Sequence, residues 1–503
     1  MWVDAAMREV KGAALFPANT HALIMDEEAL AAGMTSVTRA FDDAAAADGA
    51  SAAVRFLHSF AVKANPLEGV LRVAERCGFG AETASIGEFV LAERVFATTT
   101  TDGDTGENVG GRIVFDSPAK TLEELHYALQ RRCYLNVDNF AELDRIVALV
   151  DGKVPGFTPI PTPRAIVGVR VNPQTVTATS NAALATGGAV SKFGVALHDP
   201  GNKEELVRRY LSLHEKINLL MVHVHSGSQG LSIDTMVAGV RAIVQELVDE
   251  PRLAAAGIIN VVDIGGGFPV DFASDDPTVT ITDYTAALRA HVPSLFRPTQ
   301  QTTNSSSSNN SNMRTIITEF GRSIAAKAGV LVSRVEYTKM SGGRQIILQH
   351  IGADLAVRTV WQPEKWPLRV AVYDADGNNR CAAVSHLLLK AGSGGAAAAA
   401  TTTPLPAGFV LTDVAGPCCN SGCTLIRATP MPADVAPLSD VVVVRDVGAY
   451  YHSSFSLYNL RQMPACYMRR PRREGGAGHE FVCMKARQTI DATLGLFTLD
   501  STE

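Results

Sequence analysis

The chain has 503 residues, more than one ordinary core of roughly 100–200 residues organises, so it holds two domains or one large decorated barrel. Its 45 Lys+Arg against 51 Asp+Glu leave a formal net charge of −6, which removes the electrostatic case for a nucleic-acid or acidic-membrane partner. With no window of about 20 apolar residues and no apolar run of signal-peptide length at the start, and with eight cysteines, too few for a disulfide scaffold, the chain reads as a reduced, cytoplasmic, enzyme-sized protein.

From residue 54 onward, short β-branched or apolar runs alternate with longer amphipathic segments. Predicted strands at 54–62, 80–83, 112–115 and 134–137 are each followed by predicted helices, at 67–77, 86–96, 122–131 and 141–149. Further on, 166–171 is strand-like, 219–225 precedes a helix at 233–248, and 260–264 precedes one at 283–295. Repeated βα favours a parallel sheet, and the number of repeats fits a (β/α)8 barrel of ~250 residues, with a doubly wound open sheet as the alternative. Beyond 328 the runs at 330–337, 344–349, 368–373, 441–444 and 479–485 are strands with few helices between them. The expected division is therefore a barrel over 45–330 and a β-rich domain from 1–44 and 331–503. Three low-complexity stretches, near 98–111, 299–312 and 391–403, read as inserted loops without chemistry.

Four constellations carry candidate chemistry. In Phe60-Ala-Val-Lys63-Ala-Asn65-Pro66 a lysine ends an apolar strand. Desolvation there lowers an ammonium's pKa toward a nucleophilic amine suited to a Schiff base, and a snorkelling lysine is the plainer alternative. In Val261-Val-Asp263-Ile-Gly265-Gly266-Gly267, three glycines after a strand either bring backbone N–H groups close to an anion or simply make a tight turn. Thr315-Ile-Ile-Thr-Glu319-Phe-Gly321-Arg322 offers a carboxylate able to keep a heterocyclic nitrogen protonated, or a surface Glu–Arg pair. His223 and His225 share one side of a strand, but no third metal ligand accompanies them in the sequence, and Cys418-Cys419-Asn420-Ser-Gly-Cys423 lacks the spacing of a structural zinc site. No metal is expected, and a single thiol acting as proton donor is the better reading of the cysteine cluster.

Taken in order from about residue 54 to 470, these segments resemble the fold-type III pyridoxal-phosphate decarboxylases, the family of diaminopimelate and eukaryotic ornithine decarboxylases, with the former nearer. The resemblance implies pyridoxal 5'-phosphate as cofactor, a small amino acid as substrate and a homodimer with shared active sites. It assigns Lys63 to the covalent link with the cofactor, His225 to stacking on its ring, and Glu319 to its ring nitrogen. Ser228, Gly265, Gly266, Gly267, Gly321, Arg322 and Tyr450 fall at or near its phosphate, and Glu88 and Arg170 just outside it. Cys419 matches a catalytic cysteine given by the partner subunit, Arg358 an arginine for a substrate carboxylate, and Asn420 a substrate-facing position. The implied reaction is decarboxylation of meso-diaminopimelate to lysine, or of a related basic amino acid such as ornithine, lysine or arginine. A racemase on the same barrel and a non-catalytic binding homologue are the alternatives. The chain departs from the family pattern Cys-Glu-Ser-x-Asp at Asn420 and Cys423, where acidic residues are usual, and carries Glu82 and Phe320 where Asp and Pro are usual.

Overall fold

In the computed structural model the chain divides into two compact units, Ala31–Pro269 with Val279–Ser323, and Met1–Leu30 with Val270–Thr278 and Ile324–Glu503. The structure describes residues 2–10, 19–46, 53–97, 109–175, 187–298, 313–363, 365–385, 404–472 and 476–498. The stretches 299–312 and 391–403, and 98–108 of the first predicted insert, lie outside them. The unit limits fall at 30/31 and 323/324 rather than at 44/45 and 330/331. The short return of 270–278 has no signature in composition.

The first unit is a closed parallel barrel. Its strands are β1 (Val54–Ala61), β2 (Gly80–Thr83), β3 (Ile113–Asp116), β4 (Tyr134–Val137), β5 (Ile166–Asn172), β6 (Leu219–His223), β7 (Val261–Asp263) and β8 (Arg314–Thr318). Each pairs in parallel with the next, and β8 returns to β1 with Arg314 opposite Val54 and Thr318 opposite His58. That closure excludes the open doubly wound sheet. Val114, Tyr134, Met221, Val261 and Ile317, with Leu57 and Ile166 against them, fill its interior. Burial of such side chains contributes roughly 1.5–3 kcal/mol each.

The helices begin where local chemistry satisfies their free N–H groups. Thr121 and Glu124 form a capping box at Leu122–Leu129, and Thr280 and Asp283 form another at Ile281–His291. Asn139 and Ser232 cap Phe140–Val150 and Ile233–Ile243. The predicted helix 233–248 changes to π-helical geometry at Val244–Val248, and 283–295 ends at His291, with the proline of Pro293–Phe296 opening a 3-10 turn.

The second unit contains a six-stranded sheet in the order Val370–Tyr373, Val441–Val444, Gly329–Arg334, His21–Asp26, Ala465–Pro471, His479–Lys485. A four-stranded sheet runs Tyr337–Ser341, Arg344–Leu348, Phe409–Ala415, Thr424–Pro432. The predicted single strand 330–337 is thus two strands in different sheets. Its break lies at Val335, whose N–H donates to the Asp440 carbonyl, and Glu336, whose N–H donates to the Leu348 carbonyl. Among the described residues no helix is long and apolar enough to cross a membrane.

Candidate active site

Every barrel strand delivers a polar side chain at or just beyond its carboxyl end, the face where barrel enzymes place their chemistry. In strand order these are Lys63, Glu82, Asp116, Asn136, Arg170, His223, Asp263 and Glu319. Lys63 lies in the 3-10 turn Val62–Ala64 that follows β1, and its Nζ donates to both Glu82 carboxylate oxygens at 2.7 and 2.8 Å. Its side chain is 38% exposed, so the lysine is paired rather than desolvated, which corrects the expectation of a dry amine. Burial pushes the Glu82 carboxyl up to about 8 against the opposing pull of Lys63.

Glu319 is 3% exposed, which excludes a surface pair with Arg322, and neither of its carboxylate oxygens has a hydrogen-bond partner. His223 Nε2 and His225 Nδ1 each stand 3.7 Å from Glu319 Oε2. Burial pushes His223 down to about 4 and lowers His225 as well. Burial works to raise Glu319, but His223, His225 and Lys63 together hold it below its ordinary range. With His223 neutral, its share of that effect comes from the N–H dipole and is smaller than a cation's. Asp263, accepting from the Gly265 N–H at 3.0 Å and the Asn136 amide at 3.1 Å, is raised well above the usual carboxylate range by burial and by Glu319.

Arg170 Nη1 donates to Asp116 Oδ2 at 2.7 Å, both side chains being buried, and its guanidinium lies 4.3 Å from the Phe193 ring centroid. Glu88 is engaged locally: its Oε2 accepts from the Ala84 N–H at 2.7 Å at the start of Ile86–Ala97. Arg322 Nη2 donates to Ser228 Oγ at 3.2 Å. A Cβ on Gly321 would stand 2.8 and 2.9 Å from the Cβ atoms of Ala61 and Ala64, so the glycine lets the segment after β8 press on the Lys63 turn.

The glycine run does less as a donor than its sequence implies. The Gly265 and Gly266 N–H groups are spent inside the protein, on Asp263 Oδ1 and on His225 Nδ1 at 3.1 Å. Its further use is close backbone packing, since a Cβ at Gly266 would sit 2.1 Å from the Glu319 carbonyl oxygen. The Gly266 bond orients the His225 ring, with Nδ1 as acceptor and the proton on Nε2 when the ring is neutral.

The histidine pair gains the third donor absent from its sequence neighbourhood: ligand atoms of His223, His225 and Glu319 lie within 4.8 Å of one another, as do those of Glu82, Asp116 and Glu319. Glu82, Asp116, His223 and Asp263 were not assigned roles from sequence. Their common signal is a titratable residue ending or interrupting a short buried apolar strand, as in Ile-Val-Phe-Asp116 and Leu-Leu-Met-Val-His223.

The remaining predicted residues lie in the second unit. The Arg358 guanidinium is 4.5 Å from the Tyr450 ring centroid and 5.2 Å from that of Trp366. Cys419 is exposed, its N–H donating to Asn459 Oδ1 at 2.9 Å. Asn420 Oδ1 accepts the Gly422 N–H at 2.7 Å, and the buried Cys423 Sγ accepts the Ala353 N–H at 3.2 Å.

Residues 36–326, more than half of the chain, match the model of the family described as "Pyridoxal-dependent decarboxylase, pyridoxal binding domain", and the chain belongs to that family. It is 27% identical over 438 residues to a diaminopimelate decarboxylase of Zymomonas mobilis, covering 86% of this chain and 84% of that one. It is 28% identical over 448 residues to Protein TabA of Pseudomonas amygdali pv. tabaci, covering 88% and 84%. The crystal structure of Helicobacter pylori diaminopimelate decarboxylase complexed with L-lysine shares the fold, with a TM-score of 0.68, 23% identity and coverage of 95% and 96%.

The cofactor of the family is pyridoxal 5'-phosphate, and the residues present fit it. The barrel mouth buries Glu82, Asp116, Asp263 and Glu319, with Lys63 and Arg170 paired to the first two. Asp263 is pushed toward its neutral form, while Glu319, lowered by its neighbours, stays the buried anion of this group. A protonated ring nitrogen is a donor and a cation of the kind that carboxylate lacks.

Proposed function

We propose that the chain decarboxylates a basic amino acid, with meso-diaminopimelate to lysine as the first reaction to test. The observation that carries this reading is the Glu319 carboxylate, buried and without a donor, on the same barrel mouth as Lys63. When bound, the cofactor supplies an electron sink for the pair released as the Cα–carboxylate bond breaks.

In this reading Lys63 would hold the cofactor covalently, and Glu82 directs the free lysine amine by two hydrogen bonds. Glu319 keeps the ring nitrogen protonated. His225, its ring oriented by the Gly266 N–H, covers one ring face and keeps water from it. Ser228, Arg322, the Gly265–Gly267 turn and Gly321 serve the phosphate end, and Glu88 and Arg170 support the mouth. Carbon dioxide leaves with the carboxylate carbon, and a proton from Cys419 takes its place on Cα.

Arg358 makes no ion pair among the described residues while its guanidinium is held over two aromatic rings, a state suited to a substrate carboxylate. Cys419 acts in this reading across a homodimer interface, supported by its exposure. The eight free thiols suit a cytoplasmic setting. Asn420 and Cys423 place neutral groups where the family pattern has acids, the first engaged inside its own turn and the second with the Ala353 N–H. A charge-assisted hydrogen bond is worth about 1.5–3 kcal/mol, so selection for a distal ammonium is weaker here unless another carboxylate supplies it.

The test is carbon dioxide release from meso-diaminopimelate, L- and D-lysine, L- and D-ornithine and arginine. Release from meso-diaminopimelate in clear preference to the others supports the first assignment, and preference for another basic amino acid replaces the substrate but keeps the reaction. Loss of optical rotation without carbon dioxide would overturn the proposal in favour of racemisation.

A further inference from the structure

A cavity of about 220 Å³ opens at the other end of the barrel, where β7 and β8 begin. Leu253 and Ile259 give it an apolar wall, and Asp249, Ser294, Arg297 and Arg314 its polar one. Arg314 is the first residue of β8 and is only 6% exposed. Its Nη1 donates to the Ser294 carbonyl at 2.6 Å, but its Nε is buried without a partner. The one carboxylate on the cavity, Asp249, accepts the Ser294 hydroxyl at 2.8 Å and makes no ion pair with Arg314.

Arg297, on the exposed rim, makes no ion pair among the described residues either. Residues 299–312, which follow it in the chain, contain no Asp or Glu that could neutralise the pair. Two guanidiniums against one carboxylate leave the cavity with a net positive charge. Burying a guanidinium without a counter-charge is unfavourable, and arginine's planar fork of donors matches the geometry of carboxylates and phosphates.

We propose that this cavity binds a small oxyanion, the phosphate or carboxylate group of a metabolite, between Arg314 and Arg297. It lies at the amino ends of the strands, whereas Lys63 and Glu319 follow their carboxyl ends, so the ligand is held apart from the reacting groups. Ser294 positions the Arg314 guanidinium through its carbonyl, and Asp249 moderates the charge and limits affinity for multiply charged anions.

The experiment uses protein loaded with its pyridoxal cofactor, so that the cofactor's own phosphate site is filled. Inorganic phosphate and succinate are titrated separately at constant ionic strength, with thermal midpoint and calorimetric heat as readouts. Saturable binding of phosphate, of succinate or of both is expected, and which one binds names the source of the oxyanion. Arg297→Gln should weaken binding by about 10-fold, the loss of one charge-assisted contact, and Asp249→Asn should tighten it by removing a repelling charge. Arg314→Met should abolish it; if that variant does not fold, the opposed effects at 297 and 249 decide. Absence of saturable binding by either anion, or equal affinity in wild type and Arg297→Gln, would overturn the proposal.

Discussion

Lys63 Nζ stands 2.7 and 2.8 Å from the two oxygens of Glu82, a carboxylate whose side chain has no exposed surface. Burial raises Glu82 to about 8 from an ordinary 4.5, so the folded state keeps a proton that the unfolded chain loses across that window. The contribution of this group to stability is therefore full at the acid end and declines as pH rises toward 8. Glu82→Gln has no such proton and should lack the decline. Chemical denaturation at several pH values from 5 to 8 checks it: curves for the two proteins that run parallel would refute a raised Glu82.

Glu319→Gln keeps the size of the side chain but removes the charge that the proposed ring-nitrogen partner requires. Cofactor retention, read from its visible absorbance, should persist, while kcat falls by about 10²–10³, in the range for loss of a preorganised electrostatic contact. Lys63→Ala should instead abolish turnover. Wild-type kcat in Glu319→Gln would remove this carboxylate from the reaction.

The barrel was readable in sequence because each of its strands is a short apolar run closed by a charge or a turn, and β4 at Tyr134–Val137 falls where its pattern places it. Lys63 and Glu319 stood out for the same reason, as charges ending such runs. Less readable were contacts that depend on closure. Arg170 and Asp116 are 54 positions apart, and no local pattern couples them. His21–Asp26 lies between Gly329–Arg334, antiparallel, and Ala465–Pro471, parallel, partners more than 300 residues away whose choice is made by burial on both faces. The pairing of Lys63 is hidden in the sequence for a related reason: strand position shows that a lysine approaches the barrel mouth, but not which buried carboxylate meets it.

The Arg170–Asp116 pair is expected to matter more for integrity than for chemistry. Burial raises Asp116 while Arg170 and His223 outweigh it, holding the carboxyl below its ordinary value, and Asp116 Oδ1 has no hydrogen-bond partner. Arg170→Met leaves that carboxylate without its cation and should cost about 3–5 kcal/mol in urea unfolding. The double variant Arg170→Met with Asp116→Leu removes both charges and should recover part of the loss. A double variant no more stable than Arg170→Met would show that the guanidinium acts through its packing on Phe193 instead.

Gly267 separates backbone conformation from close contact in the loop after β7. Its φ of +90° disfavours any side chain, and a Cβ would stand 1.9 Å from the Gly227 carbonyl oxygen in the segment that carries Ser228. Gly201 has a similar φ of +84° before the helix Asn202–Ile217, with nothing within 4 Å of the same added carbon. Gly201→Ala should therefore cost only the conformational penalty, about 1–2 kcal/mol. Gly267→Ala should cost clearly more and also weaken cofactor binding, because the Ser228 backbone must shift to admit the methyl group. Unfolding midpoints and cofactor dissociation constants measured for both variants check this, and equal losses in the two would mean that the loop yields to the methyl group without moving the site.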